Sequence, residues 1–309
     1  MNILLLTIQL LFVPLVAPLC IGVIRKLKAL LQNRRGASVL QPYLDFWKLL
    51  HKDEARSRDA SWIFSFAPVV VFATSLLLGA IVPLSLEANL FSILGDFLVV
   101  VYIVALGTFF IALGGLDVGN AFGDIGSSRE MTFAAIVEGG VLFSFLPVAI
   151  VSGSTNLLAM FTHVQTATGK EAIVVAIAGL AFFIALLAEN ARYPFDNPST
   201  HLELTMVHEA MIIEHSGKGL ALMEWGSANK LVIFLLLAVN VFVPWGGTFD
   251  FLGTSVAATL TATFLKLLLA AGVVALIESS MPKLRFFRLP ELIFTSFALG
   301  VIALVIAVI

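Results

Sequence analysis

Residues 92–115 read SILGDFLVVVYIVALGTFFIALGG and contain one charged residue, Asp96, near the beginning of the run. A helix needs about 20 apolar residues to cross the hydrocarbon core of a bilayer, so this run alone predicts a membrane span. Similar runs recur along the whole chain, and the fifth and sixth are the shortest. The predicted spans cover residues 2–23, 61–85, 92–115, 131–152, 172–189, 230–246, 253–277 and 291–309.

The composition of the whole chain agrees with a membrane protein. Of the 309 residues, 60% are hydrophobic and 12% are charged, and the mean hydropathy is +1.03. Soluble domains are about half apolar and about a quarter charged. We therefore predict an all-α fold, a polytopic membrane bundle of about eight transmembrane helices, in which residues 1–309 form a single integral membrane domain.

Charge and cysteine content exclude several classes of function. The net charge of −2 gives no basic field of the kind that attracts nucleic acid. The single cysteine, Cys20, lies in the first apolar run and cannot by itself form a disulfide, a zinc site or an iron–sulfur cluster. The sequence also lacks a P-loop, a dinucleotide fingerprint and a metalloprotease motif, so the chain alone does not resemble a catalyst.

Lysine and arginine are distributed unequally between the loops. Sixteen of the 18 fall in the odd-numbered loops, nine of them in the first loop, whereas the even-numbered loops contain only Lys170. Loops rich in these residues stay on the cytoplasmic side of a membrane. We therefore expect both termini outside, with cytoplasmic loops at about residues 24–60, 116–130, 189–229 and 278–290.

The first cytoplasmic loop contains an amphipathic pattern with helical spacing. Its apolar face carries Val39, Tyr43, Phe46, Trp47 and Leu50, and its polar face carries Gln41, Asp45, Lys48 and Lys52. Such a helix either lies in the membrane interface or packs on neighbouring helices, and the sequence fits both interpretations. The third cytoplasmic loop is longer than a connection requires, which indicates a function.

Charged residues inside the predicted spans are candidates for function because each costs about 2.5–3.5 kcal/mol to insert. Glu138 lies in the fourth span, Glu189 ends the fifth, and Lys266 lies midway along the seventh. Carboxylates with raised pKa values inside a bundle are what a proton relay requires. For Glu278, at the end of the seventh span, we favour a packing ion pair or a snorkelling side chain.

The third cytoplasmic loop adds two carboxylates and a row of histidines. Residues 200–216 predict a helix that ends at Gly217. Glu203 and Glu214 are eleven positions apart and project from one face, as proton carriers or contacts of a docked subunit. The histidines 201, 208 and 215 recur every seven positions on the other face. Seven residues rise about 10.5 Å, too far for two ligands of one ion, so we expect no zinc site.

The residues quoted so far resemble two signatures of a known family. It is the eight-helix membrane anchor shared by respiratory complex I (its subunit 1) and the energy-converting NiFe hydrogenases, including formate hydrogenlyase. The first signature resembles residues 32–36 (QNRRG), Leu40-Gln41 and 45–50. The second resembles Ala188-Glu189-Asn190, Arg192, Pro194-Phe195-Asp196, Glu203-Leu204 and residues 214–217. The resemblance covers essentially the whole chain.

Within this family the chain resembles the hydrogenase branch more closely. The matching positions are Gly115-Leu116-Asp117, Gly119, Phe122, Ile125-Gly126, Ser128-Arg129-Glu130, Val137-Glu138, Trp225-Gly226, Lys230, Pro244-Trp245-Gly246, Lys266 and Glu278. The chain departs from the family where an acidic pair usually follows the Pro-Phe-Asp motif, because Ser199 and His201 stand there. About three extra residues also separate Glu203 from Glu214. These departures argue against a quinone headgroup site.

The resemblance implies a subunit that couples electron transfer to H⁺ or Na⁺ translocation. The NiFe large subunit and an iron–sulfur small subunit would dock on the cytoplasmic loops, with antiporter-like subunits in the bilayer. The NiFe centre and the iron–sulfur clusters would belong to those partners, leaving no cofactor, metal or catalytic residue in this chain. Implied relay residues are Glu138, Glu189, Glu203, Glu214 and Lys266. Implied contacts with the hydrophilic arm are Arg34, Arg35, Asp45, Lys48, Arg129, Glu130, Arg192 and Asp196.

Three other interpretations stay open at this point. The chain is alternatively a quinone-binding subunit of a complex I-type NADH dehydrogenase, against which Ser199 and His201 count. It is alternatively a stand-alone secondary transporter, although inverted repeats and broken helices are not evident in the sequence. A passive anchor for a hydrogenase arm is the third alternative, and the intramembrane charges Glu138 and Lys266 argue against it.

Overall fold

The computed structural model describes residues 3–84, 94–196, 207–243, 256–282 and 288–309. Throughout these ranges the regular secondary structure is helical, apart from one isolated bridge between Asp96 and Asn156, so the predicted all-α fold is confirmed. The helices are α1 (Ile3–Leu31), α2 (Gln41–Leu50), α3 (Trp62–Ile81), α4 (Phe97–Asp117), α5 (Ala121–Ser152), α6 (Leu157–Thr166), α7 (Lys170–Glu189), α8 (His208–Ile212), α9 (Gly217–Leu237, continued by a π-helical turn over Ala238–Phe242), α10 (Val256–Ser280) and α11 (Leu289–Val308).

Eight of the described helices are long and apolar enough to span a membrane, as predicted. They are α1, α3, α4, α5, α7, α9, α10 and α11, and they form one bundle in which α9 is the most enclosed. Helix α5 packs against α7 and α11, α3 packs against α4 and α9, and α1 packs against α10. The short helices α2 and α8 lie on the side that carries most of the charged loops, which we call the charged side.

Two membrane helices begin earlier than the hydropathy pattern predicts. Helix α5 starts at Ala121, where Asn120 accepts a hydrogen bond from the Phe122 amide, so the predicted loop 116–130 shrinks to 118–120. Small residues allow the polar first turns to pack closely: a Cβ on Gly126 would lie 2.8 Å from Ala210 Cβ. The polar residues of this packed segment lie in the range that the hydropathy pattern predicts as a solvated loop.

Helix α9 also extends further toward the charged side than expected. It starts at Gly217, so the predicted loop 189–229 shrinks to 190–216, and Gly217 begins a helix instead of ending one. A side chain is excluded there, because φ is +52° and a Cβ would lie 2.7 Å from the Asp53 carbonyl oxygen. Of the helix predicted over residues 200–216, the described part contains α8, and residues 197–206 lie outside the described residues.

The first loop folds back on the helix that precedes it. Helix α1 ends at Leu31 and is followed by Asn33 with a φ of +61°, and the Arg34 amide donates to the Ala29 carbonyl at 2.7 Å. Gly36 brings the turn against α1, since a Cβ there would lie 2.5 Å from Ala29 Cβ. The turn therefore fixes the backbone of residues 32–36 over the last turn of α1. The predicted loop 24–60 accordingly shrinks to 32–61, interrupted by α2. Helix α10 continues to Ser280 and α11 begins at Leu289, both inside the predicted loop 278–290, of which residues 283–287 lie outside the described residues.

Helix α2 is the amphipathic helix that the spacing predicts. Its buried Phe46 stacks on Trp225 of α9 at 5.7 Å, so one face packs on the bundle. Trp47, placed on the same face by the sequence, points outward with 66% exposure, as does Leu44. The helix thus fits both predicted arrangements: one face packs on neighbouring helices, and an adjacent apolar face is exposed, as in a helix that lies in the membrane interface.

The opposite end of the bundle is tied together around the end of α3. Gln9 of α1 donates to the carbonyls of Ala80 and Val82, and Asn240 in the π-helical turn donates to the Pro83 carbonyl at 2.9 Å. Thr263 of α10 donates to the Leu84 carbonyl. Buried carbonyl groups need such partners, because no water reaches them in a bilayer.

Five phenylalanines fill the centre of the bundle and are called here the aromatic cluster: Phe97, Phe145, Phe182, Phe234 and Phe242. Neighbouring ring centroids lie 5.1–5.8 Å apart. The rings come from α4, α5, α7 and α9, so the cluster closes the space between the four helices that position the candidate site.

Candidate functional site

A buried ion pair lies where three membrane helices meet. Lys230 Nζ of α9 donates to Glu189 Oε1 at the end of α7 over 2.7 Å, and to Thr108 Oγ1 of α4 over 3.2 Å. The side chains of Lys230 and Glu189 are 18% and 5% exposed. We call this pair the central ion pair. Burying two charges is costly, so their close contact and the added hydroxyl are what make the arrangement stable.

Glu189 lies at the meeting point of three small cavities. One contains Thr74, Ser75, Thr108, Ser227, Lys230 and His208. A second brings Glu189 together with Glu130 and Asp196. A third joins Glu189 to Glu138, two turns below Glu130 on α5. Glu189 therefore lines one cavity with Lys230, one with Glu130 and Asp196, and one with Glu138.

A wide crevice leads from the charged side toward the central ion pair. It has a volume of about 420 Å³, lies between α1, α2, α8 and α9, and contains the carboxylates of Asp45, Asp196, Glu209 and Glu224. We call it the inner crevice. Its lining shares Asn190, His208 and Ser227 with the cavity at the central ion pair, so the two spaces adjoin.

His208 lies between the inner crevice and the cavity at the central ion pair. Its Nε2 lies 3.3 Å from Ser227 Oγ, and its backbone amide donates to Asp196 Oδ2 at 3.4 Å. Burial lowers the pKa of His208 to about 4, the Lys230 ammonium lowers it further, and Asp196 acts in the opposite direction. The imidazole is therefore neutral at pH 7 and can accept a proton only at a cost.

Burial has the opposite effect on the pKa of Glu209, which lies beside His208 on α8. Burial raises the pKa of Glu209 to about 7, and the carboxylates of Glu224 and Asp196 add to the effect. This side chain lies in the inner crevice, where it exchanges its proton near neutral pH. A carboxyl group poised in this way suits the mouth of a proton path.

A second charged cluster lies at the membrane surface. Glu278, at the end of α10, is 2% exposed and accepts from Lys28 Nζ at 3.1 Å and from Arg192 Nη1 at 3.2 Å. Lys28 also lies over the ring of Tyr193, 4.6 Å from its centroid. We call Lys28, Glu278 and Arg192 the surface triad. It fastens the segment after α7 to the ends of α1 and α10.

His215 anchors the charged side in a different way. Its ring stacks on Phe64 at 4.0 Å, and its buried Nε2 has no hydrogen-bond partner among the described residues. Burial lowers the pKa of His215 to about 4, with Glu54 opposing the shift. The neighbouring Ser216 exchanges hydrogen bonds with the backbone of Ala55, so the first loop is held on the start of α9.

The line of polar groups stops at Glu138. The cavity that holds Glu138 is otherwise apolar, with walls that include Phe97, Phe145, Leu157 and Phe234. These rings belong to the aromatic cluster, which fills the bundle beyond the carboxylate. The described residues therefore form a polar path that is open toward the charged side and closed by apolar side chains in the other direction.

The predicted site residues divide into several groups. The structure brings Glu138 and Glu189 together, and Glu130 and Asp196, predicted as contacts of a hydrophilic arm, lie beside Glu189 instead. Asp45, Lys48 and Arg192 line the inner crevice. Arg34 and Arg35 lie in the exposed turn after α1, Arg129 is half-buried on α5, and Glu203 lies outside the described residues.

Two predicted relay residues stand apart from the path. Glu214 is exposed and accepts a hydrogen bond from Asn120 at the start of α5. Lys266 donates to the Val243 carbonyl at 3.1 Å, beyond the π-helical turn of α9. The sequence shows which charges lie in spans, but it does not show which of them face the same cavity.

The sequence pattern does not identify several residues of the path: His208, Glu209, Glu224 and Lys230. Lys230 was counted as a loop cation because the apolar run begins there. A signal was present: Glu224, Ser227 and Lys230 follow each other at intervals of three, as they would on one face of a helix that starts earlier.

The eight spans define a multi-pass membrane protein, and its interior contains a buried ion pair. The sequence profile of the family described as NADH dehydrogenase matches residues 3–309, and the chain belongs to that family. This confirms the family resemblance seen in the two sequence signatures.

Two relatives and one solved structure are similar to this chain over almost its whole length. It is 33% identical to formate hydrogenlyase subunit 4 of Escherichia coli (strain K12) over 298 residues, which cover 96% of each chain. It is 31% identical to hydrogenase-4 component C of the same strain, covering 94% of this chain and 90% of the relative. A chain of the membrane-bound sulfane sulfur reductase, an archaeal respiratory membrane complex, shares the fold with a TM-score of 0.84, 19% identity and 98% coverage of both chains.

The central ion pair can be tested through stability. We expect Lys230→Met to lower the free energy of unfolding by about 3–5 kcal/mol, because it leaves the Glu189 carboxylate buried and unpaired. Adding Glu189→Gln should restore much of this loss. The measurement is unfolding of the purified chain in mixed detergent micelles. Arg56→Met, which removes a 55%-exposed partner of Glu54, is the control and should cost at most about 1 kcal/mol. Simple addition of the two single losses in the double variant would contradict the pairing.

The shifted pKa of His208 predicts a pH dependence of stability. The unfolded chain takes up a proton at the ordinary pKa of about 6.5, whereas folded His208 does so only near pH 4. Between these values, falling pH therefore destabilises the protein by up to about 1.4 kcal/mol per pH unit through this group. His208→Gln should show a shallower loss in thermal unfolding measured from pH 7 to pH 4.

The control for this experiment is His51→Gln, at the exposed end of α2, which should keep the wild-type slope. Glu209 acts in the opposite sense, because its raised pKa of about 7 gives a contribution that is full below about pH 4.5 and is lost as the pH rises through 7. The comparison of variants isolates His208 from this background. An unchanged slope in His208→Gln would mean that the imidazole has the same pKa in the folded and the unfolded chain, and would contradict the shift.

Proposed function

We propose that this chain is the membrane subunit that anchors the redox arm of an energy-converting complex of the hydrogenase type and couples electron transfer to H⁺ or Na⁺ translocation. The likeness to formate hydrogenlyase subunit 4 and hydrogenase-4 component C supports this type of complex. The observation that carries the coupling role is the polar path from the inner crevice to Glu138, which is open on one side only.

A path that is closed beyond Glu138 does not by itself move an ion across the membrane. Ions enter from the charged side, pass Glu209 and His208, and reach the central ion pair. The aromatic cluster then blocks direct exit. The ion, or the charge it brings, therefore exerts its electrostatic effect on neighbouring subunits in the plane of the membrane. We expect those neighbours to be antiporter-like proteins that complete the crossing.

The segment 190–196 connects the arm to this path. It follows directly on Glu189, contributes Arg192 to the surface triad and ends at Asp196, beside His208. A change in a docked redox subunit that displaces the segment alters the field at Glu189. A weakened contact with Lys230 leaves the buried Glu189 carboxylate without its partner, beside Glu130 and Glu138 in the adjoining cavities.

The charged side faces the cytoplasm in this proposal, with both termini outside. The arm contacts exposed groups there, including Arg35 and Lys48, and Arg129 at the start of α5. The NiFe large subunit and the iron–sulfur small subunit carry the metal centres, since the only cysteine of this chain, Cys20, is buried in α1. Electron transfer takes place in those partners, and this chain responds to it through charge.

The identity of the partners can be tested by purification of the tagged chain from membranes in mild detergent. We expect mass spectrometry to find a large subunit with the paired cysteines of a NiFe centre, an iron–sulfur subunit and antiporter-like proteins. Bound quinone together with a large subunit that lacks those cysteines would favour a complex I-type enzyme. Recovery of the chain alone would favour a stand-alone transporter and contradict the proposal.

The coupling path can be tested in sealed vesicles that contain the intact complex. Glu189→Gln and Glu138→Gln should abolish substrate-driven ion uptake, followed with a pH-sensitive dye and with radioactive sodium, because each removes a titratable group from the path. Electron transfer between soluble substrates should continue. The control is Glu171→Gln at the other end of α7, where the carboxylate pairs with His163 outside the path, and uptake should remain. Full uptake in both path variants would refute the relay.

A further inference from the structure

A second crevice on the charged side adjoins the inner crevice and shares Arg25 and Arg192 with it. It has a volume of about 490 Å³ and lies between the ends of α1 and α10 and the segment after α7. Its charged lining consists of Arg25, Lys28, Arg34, Arg192 and Glu278. We call it the basic crevice, because four cations face one carboxylate.

The cations of the basic crevice are not neutralised within it. Glu278 is already shared between Lys28 and Arg192. The other two side chains are arginines. Arg25 has Asp45 at 3.9 Å and also faces the inner crevice with Glu209 and Glu224, whereas Arg34 donates to the neutral Gln32. A guanidinium group has five N–H donors, and the contacts among the described residues leave donors of both arginines for an anion. Among the described residues that line it, the basic crevice therefore has more positive than negative charge.

The backbone holds this arrangement in place before any ligand arrives. The turn at residues 33–36 is fixed over α1 by the amide of Arg34 and by the close approach of Gly36 to Ala29. Lys26 adds a hydrogen bond from Nζ to the Arg35 carbonyl at 2.6 Å. Arg34 is thus placed opposite the surface triad by a built turn and not by a loose loop.

The depth of the crevice identifies the kind of anion. Lys28 lies in the last turn of α1, and Glu278 lies in the last turn of α10, and both helices are long enough to span a bilayer. The crevice is therefore at the level of lipid headgroups. Its surroundings include the exposed apolar side chains of Leu30, Leu31 and Met281, which suit contact with acyl chains rather than with water.

We propose that the basic crevice binds the phosphate of an anionic phospholipid, with Arg25 and Arg34 as its principal donors. Basic pockets between membrane helices on the cytoplasmic side recognise such headgroups. Arginine suits this role because its planar group binds phosphate oxygens in pairs. A bound headgroup bridges α1 to the segment that carries Arg192, so the lipid stabilises the loop that connects Glu189 to the charged side.

The test uses the full-length chain in detergent and native mass spectrometry with added lipid. Dioleoyl phosphatidylglycerol should bind more tightly than dioleoyl phosphatidylcholine. The double variant Arg25→Gln/Arg34→Gln should bind phosphatidylglycerol about tenfold more weakly, through the loss of two charge-assisted contacts. The matched control Arg35→Gln/Arg58→Gln removes the same charge from exposed positions of the same loop and should keep wild-type binding. Unfolding temperatures establish that each variant is folded.

Four results would overturn the proposal. Equal binding of the two lipids to the wild-type chain would mean that headgroup charge is not recognised. An equal loss in the control variant would reduce the effect to general attraction by the loop. Displacement of the lipid by inorganic phosphate would assign the site to a soluble anion. Absence of phosphatidylglycerol from the chain within its intact complex, with a partner protein cross-linked to Arg34, would assign the crevice to an acidic protein surface.

Discussion

The contact between Lys230 and Glu189 is the interaction on which the interior of this protein depends. It joins α7, α9 and, through Thr108, α4, at a depth where neither charge has water enough to be stable alone. Once such a pair is present, the surrounding helices must supply polar partners and space around it. The three cavities that meet at Glu189 and the extended polar start of α9 follow from that requirement.

The same segment of chain belongs to both charged clusters. Glu189 closes α7 in the central ion pair, Arg192 lies in the surface triad, and Asp196 accepts from the amide of His208. The two clusters are therefore joined by a few covalent bonds and not by a long chain of side-chain contacts. A push on this segment from the charged side reaches a buried carboxylate directly, which is the simplest structural basis for coupling at a distance.

How much of this could be read from the sequence depends on what hydropathy measures. It identified the eight spans, the helix at Gln41–Leu50, and Glu138 and Glu189 as carboxylates within spans. It placed the starts of α5 and α9 too late, because polar residues that face a cavity score the same as polar residues that face water. The packing ion pair favoured for Glu278 is found, with Lys28 and Arg192 as partners, whereas Glu214, a predicted relay residue, is exposed beside Asn120. Burial of a helix end is decided by its neighbours, which hydropathy does not record.

The aromatic cluster also determines where the membrane voltage acts. An electric potential falls mainly across the part of a membrane protein that excludes water and mobile charge, and each elementary charge moved through it requires about 2.3 kcal/mol per 100 mV. Polar cavities lead from the charged side to Glu189, which shares a small cavity with Glu138, and phenylalanine rings lie beyond. The Glu138 carboxylate is therefore electrically close to the charged side. Loading it requires little electrical work. Nearly all the work against the voltage is then left for a later step, outside the path that this chain provides.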